Sequence, residues 1–142
     1  MRILLDSTFL IDIERQNEEA VALVESLIAN NEEIIISTVT TAEILTGAYF
    51  LGSRENLSEA KTLLAQFSSV PLDEGIADKI AQYLAFLLKN GNPIDFKDIA
   101  IAATFTVTKS DFLITQNKRH FEMIPEIGSK ARTISEFKKI YA

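Results

Sequence analysis

The chain has 142 residues, 47% of them hydrophobic, with a formal charge of −6 and no cysteine. This length and composition suit one compact domain over residues 1–142, and the lack of thiols excludes disulfides and thiolate metal sites. Arg2 and Asp6 interrupt the apolar start too early for a signal peptide, and no apolar run approaches the roughly 18 residues of a membrane span, so a soluble cytoplasmic protein with no membrane partner is expected.

In chain order, short apolar runs predict strands at residues 2–6, 33–37, 69–71, 112–115 and 131–134. Helical patterns fall between them at residues 7–15, 17–30, 38–51, 54–67, 73–90, 96–108 and 135–141. Gly52-Ser53 ends one helix and starts the next, and Asn90-Gly91-Asn92-Pro93 reads as a loop. Alternating strands and helices predict an α/β fold, a three-layer α/β/α sandwich with a central parallel sheet. The two helices between Ser37 and Ser69 exceed one per crossover and read as a projecting pair, with Ala48, Tyr49, Phe50 and Leu51 either forming an apolar contact surface or packing on the sheet.

The negative charge argues against a polyanionic partner when taken as a sum, but it is unevenly distributed. Acidic residues dominate residues 1–60, whereas residues 118–142 carry Lys118, Arg119, Lys130, Arg132, Lys138 and Lys139 against Glu122, Glu126 and Glu136. That tail is either a basic rim for a phosphate backbone or ordinary solvated surface.

Three acids, Asp6, Glu43 and Asp98, each adjoin an apolar stretch that should bury them near one sheet edge, the arrangement of a metal-binding nuclease site. Each also has a local reading. Asp6 can N-cap the helix opening at Ser7, Glu43 can form a surface ion pair, and Asp98 stands three residues after Asp95 at capping-box spacing. Gly47, one turn after Glu43, leaves space on that helical face. Thr115 and Asn117 follow the apolar run 112–114 and emerge at the same edge as Asp6 if the strands are parallel, as supports for a metal or as a capped turn. His120, the only histidine, has no second imidazole or serine nucleophile pattern near it and reads as a surface or capping residue.

Four ordered blocks carry a family resemblance: Leu5-Asp6-Ser7-Thr8-Phe9-Leu10-Ile11; residues 36–47 from Ile36 through Glu43 to Gly47; Asp98-Ile99-Ala100-Ile101-Ala102-Ala103-Thr104; and residues 113–121 containing Thr115-Gln116-Asn117-Lys118-Arg119-His120. At these blocks the chain resembles the PIN-domain nucleases, in particular the toxin ribonucleases of VapBC-type toxin-antitoxin pairs. The resemblance implies an endoribonuclease dependent on Mg²⁺ or Mn²⁺, acting on RNA, restrained by a cognate antitoxin and working as a homodimer. It puts Asp6, Glu43 and Asp98 at the acidic metal-site positions and Asn117 where many members have a fourth acid, which leaves a second ion one anionic ligand short. Asp6 and Asp98 are then the direct ligands, Glu43 acts through water, Thr115 supports, and Lys118 and Arg119 contact phosphates. An antitoxin peptide is expected in an apolar groove of the helical pair.

Two rival readings stand beside this one. The chain resembles a catalytically inactive PIN-like dimerisation or protein-binding module if the acids hold no ion. A receiver-like phosphoacceptor domain shares the alternation and an acidic pocket, with Asp73 as acceptor, but Asp6 lacks the adjacent acidic partner that such a pocket uses.

Overall fold

The computed structural model describes residues 1–92 and 94–141; Pro93, the end of the expected loop, lies outside the described residues. Five parallel strands form one sheet in the order β3-β2-β1-β4-β5, with β1 at Arg2–Leu5, β2 at Glu33–Ser37, β3 at Ser68–Val70, β4 at Phe112–Ile114 and β5 at Ala131–Arg132. The helices are α1 Ser7–Glu14, α2 Glu18–Ala29, α3 Thr38–Leu51, α4 Arg54–Leu64, α5 Glu74–Lys89, α6 Phe96–Val107, α7 Lys118–Glu122 and α8 Ile134–Tyr141. This order differs from the 2-1-3-4-5 order of flavodoxin- and receiver-type sheets.

Strand alternation creates two cores. On one face Ile3, Leu5, Ile34 and Ile36 pack with Phe9, Leu10, Leu23, Leu27, Ile44 and Phe137 from α1, α2, α3 and α8. On the other, Leu4, Ile35 and Leu113 meet Ile76, Ile80 and Tyr83 of α5, Ile99 to Ala103 of α6 and Phe121 of α7. The period of 2 in β1 and β2 sends alternate side chains to opposite layers, so both faces must be covered. Ala100, Ala102 and Ala103 are fully buried, and their small side chains bring α6 close to the sheet.

β1 pairs with β2 on one side, Ile3 opposite Ile34, and with β4 on the other, Leu4 opposite Leu113. From β1 the chain builds outward through β2 and β3, then returns to the far side of β1 to add β4 and β5. The reversal lies between β1 and β4, and in open α/β sheets ligands bind outside the strand carboxyl ends at such a switch point.

The expected elements are present, most with shorter ends. Pro71 has no N–H to give and falls outside β3, while Thr115 falls just past β4, its N–H donating to Arg132 O and its hydroxyl to Asp6. Gly52 takes the left-handed conformation (φ 78°) that closes α3, and the Ser53 hydroxyl then accepts from Asn56 N–H to open α4. Two elements had no counterpart in the sequence reading: α7 and a 3₁₀ turn at Gly128–Lys130, both too short to display a period. The residues 48–51 divide between their two readings, Ala48 being buried while Tyr49, Phe50 and Leu51 are exposed.

Phe121 fixes α7, since its side chain is wholly buried beneath an otherwise polar segment. Phe121→Ala should lower the unfolding free energy by about 3–5 kcal/mol. A urea titration checks this, and a loss under about 1 kcal/mol would remove Phe121 as the anchor of α7.

Candidate metal-binding edge

Asp6 follows β1 directly and is 1% exposed. Its Oδ1 accepts from Ser7 N–H at 2.7 Å and the Ser7 hydroxyl at 3.3 Å; its Oδ2 accepts from the Thr8 hydroxyl at 3.1 Å and the Thr115 hydroxyl at 2.7 Å. Asp6 is therefore the N-cap of α1 and, at the carboxyl end of β1, also accepts from Thr115 across the sheet. Burial raises its pKa above the usual carboxylate range, against the lowering pull of hydrogen bonds from Thr115, Ser7 and Thr8, and the negative charge of Asp98 raises it further. That last effect places the two acids within each other's field.

Asp98 lies in the first turn of α6 and is 6% exposed. Asp95 occupies the N-cap position without a side-chain cap hydrogen bond, so the capping-box reading of Asp98 does not hold. Asp98 Oδ2 instead lies 2.9 Å from His120 Nδ1. A carboxylate has no hydrogen to give, so the ring nitrogen donates. His120 lies on the surface as expected, half of its side chain exposed, and one ring nitrogen in addition faces the acid. The sequence signal was its neighbour Phe121, an apolar anchor after three polar residues, which fixes the helix carrying the imidazole.

Glu43 sits on α3, partly buried. Its Oε2 accepts from Lys97 Nζ at 3.1 Å, and Lys97 precedes Asp98 in α6. This bond, followed by the Coulomb pull of Glu43, raises the Lys97 pKa. Glu43 Oε1 is buried with no hydrogen-bond partner, as are the hydroxyls of Thr40 and Thr41 one turn earlier. Buried orphan oxygens at a ligand-binding edge are what an ion or ordered water would satisfy. Gly47 stands in open space, as expected, but lines a groove toward α1 and α4.

The β4–α7 connection supplies supporting contacts. Thr115 is buried, and its hydroxyl donates to Asp6 while accepting from Asn117 N–H at 3.0 Å. Asn117 is exposed at the N-cap position of α7 without a side-chain cap hydrogen bond. Arg119 is exposed. Lys118 is occupied elsewhere: its Nζ lies 2.6 Å from Glu136 Oε1 and 3.4 Å from Glu122 Oε1, which raises its pKa. Glu136 forms a reciprocal capping box with Thr133, so the Lys118 charge ties α7 to the start of α8. The Thr133-Ile134-Ser135-Glu136 pattern was the sequence signal for that arrangement. Asp111 accepts from Arg2 N–H at the opposite sheet edge and Asp73 N-caps α5, so neither joins the site.

Among the described residues no three acidic, histidine or cysteine groups close into one metal-holding cluster. Asp6 and Asp98 are brought together, and Glu43 is tied to their neighbourhood through Lys97. The donor set still fits a hard dication. All available atoms are oxygens, Mg²⁺ commonly takes only one or two carboxylates directly, and Glu43 offers an orphan oxygen for a water-mediated contact.

A family model described as PIN domain matches residues 3–126. Ribonuclease VapC19 of Mycobacterium tuberculosis is 38% identical over 128 residues, covering 87% of this chain and 95% of that protein. A VapC ribonuclease of Pyrococcus furiosus is 35% identical over 104 residues, covering 73% of this chain and 68% of that protein. Among solved structures, VapBC2 from Rickettsia felis bound to a promoter DNA fragment aligns with TM-score 0.83 at 21% identity, covering 94% of this chain and 98% of that one, a likeness of fold alone.

The raised Asp6 pKa has a defined sign. Between the unfolded value near 3.9 and the higher folded value, the folded state holds a proton that the unfolded state has lost, so the contribution of Asp6 to stability falls as pH rises. In chelator at pH 7, Asp6→Asn should melt at or above the wild-type temperature, with the difference closing as pH falls toward about 4. Thermal melts across that range check it; a less stable variant at pH 7 would show that the hydrogen bonds to the carboxylate outweigh its burial.

Proposed function

The chain belongs to the PIN domain family, and we propose that it is a divalent-metal-dependent endoribonuclease, the toxin of a toxin-antitoxin pair, folded as one domain over residues 1–142. The observation that carries this reading is the pair of buried carboxylates at the switch point, Asp6 held by Thr115 just after β4 and Asp98 held by His120 of α7. The VapC ribonucleases among its relatives, matched over most of the chain, support RNA as substrate.

Asp6 and Asp98 would hold Mg²⁺ or Mn²⁺, with Glu43 reaching the ion through water. When bound, the cation lowers the pKa of an attacking water and offsets the charge that grows on the phosphoryl oxygens. The protein's own groups provide placement. Ser7, Thr8 and Thr115 fix both oxygens of Asp6, so the carboxylate need not reorganise during the reaction. Glu43 Oε1, free of protein donors, accepts a hydrogen bond from the attacking water and orients it. Water then adds to phosphorus as the bond to the leaving ribose oxygen breaks. Asn117 at the N-cap of α7 and Arg119 within that helix are exposed and available to the RNA backbone; Lys118 is paired with Glu136.

An antitoxin partner is part of the proposal. A groove of about 470 Å³ runs between α1, α3 and α4, lined by Ile11, Ile13, Ile44, Leu51 and Leu63. Glu14 and Glu59 stand on its rim; burial raises the Glu14 pKa, Arg15 opposes this, and Glu59 adds to it. An amphipathic segment with apolar anchors and a basic residue would satisfy both features. Exposed Tyr49 and Phe50 at the end of α3 offer apolar area for a homodimer. Among the described residues no helix is long and apolar enough to cross a membrane, and we place the protein in the cytoplasm.

The Lys97–Glu43 ion pair favours one competing reading, a PIN-like protein-binding module without catalysis. Two measurements separate them. Purified protein should cleave RNA with Mn²⁺ and not with EDTA, and Asp98→Asn should lower the rate by at least about 100-fold while leaving the chelator melt unchanged or higher. Equal nuclease activity in Asp98→Asn would assign cleavage to a contaminant, and a wild type without turnover or saturable Mn²⁺ binding would leave the binding module. For the groove, Leu51→Glu should weaken capture of the product of a neighbouring short reading frame at least about 10-fold with the melt unaltered; undiminished capture would move the partner to another surface.

A further inference from the structure

The segment from the end of β4 through α7 touches both buried acids, through Thr115 on Asp6 and through His120 of α7 on Asp98. The second contact is built rather than incidental. Phe121, wholly buried, pins the helix that carries the imidazole, and Asn117 N–H on the Thr115 hydroxyl fixes the turn before it. Asp98 itself is buried, so few other donors can reach its carboxylate. We infer that His120 is the positioning residue for Asp98: its Nδ1–H occupies Oδ2, fixes the carboxylate plane and leaves the other oxygen for the cation.

This inference rests on the metal reading above. Carboxylate ligands held by an outer hydrogen bond lose metal affinity when that bond is removed, typically 10- to 100-fold. The exposed half of the ring has no part in the argument. What matters is the nitrogen nearer the backbone, and two amide substitutions separate the ring atoms. Asparagine places an N–H near Nδ1, whereas glutamine extends one near Nε2.

The test is Mn²⁺ titration of the full chain, followed by electron paramagnetic resonance and calorimetry, for wild type, His120→Ala, His120→Asn, His120→Gln and Asp98→Asn, with chelator melts for each. His120→Ala should bind Mn²⁺ on the order of 10- to 100-fold more weakly at an unchanged chelator melting temperature, His120→Asn should recover most of that loss, and His120→Gln should not. Affinity of His120→Ala within about twofold of wild type, with binding lost in Asp98→Asn, overturns the inference and leaves the metal reading standing. Equal loss in all three His120 variants also overturns it, because Nδ1 would then have no special part. Wild-type affinity in Asp98→Asn, or no binding by wild type, removes both.

Discussion

A carboxylate without water around it is the constraint on which the molecule is arranged. Asp6 is almost fully enclosed between β1 and β4, and burial alone would drive it to take up a proton. Donors from Ser7, Thr8 and Thr115 counter that tendency, and the helix dipole of α1 adds to them because Asp6 is also its cap. A second acid nearby works in the opposite direction. Asp98 raises the Asp6 pKa, so the edge carries an electrostatic tension that a dication would relieve. In this view the site costs stability in the metal-free protein and recovers it on binding.

Lysines around that edge are spent on structure. Lys97 satisfies Glu43, and Lys118 ties α7 to the capping box of α8. Both contacts involve partly exposed groups, so each contributes little to stability. Their effect lies in geometry. Lys97 holds Glu43 beside the first turn of α6, and Lys118 steadies the short helix that presents His120.

The sheet and most helices were legible because long-period patterns and alternation report burial directly, as in Ile34, Ile35 and Ile36 of β2 and the alanine face of α6. The three acids were legible as candidates because charge beside apolar runs is unusual. Their individual roles were less so. Asp6 could be read as a cap or a ligand, and the structure makes it a cap that also faces the site. Asp98 matched a capping box that its backbone does not complete, since the imidazole of His120 takes the carboxylate instead. The contact of His120 with Asp98 was not legible because its partner lies 22 residues away, and a five-residue helix displays no period that would reveal which side of it turns inward. The pairing of Lys118 was not legible for a similar reason, its partner Glu136 standing 18 residues on.

The sheet order places the first strand at the centre and pairs it with one of the last. Asp6 receives the Thr115 hydroxyl across 109 residues of sequence, and β1 gains its second neighbour only when residues 112–114 arrive. Local helices can form early, but closure of this edge waits for distant chain segments to meet. During synthesis, the amino-terminal acid therefore stays unassembled until residues 112–115 have been made. An edge assembled in this order cannot close on a partial chain, whatever ligand it is built to hold.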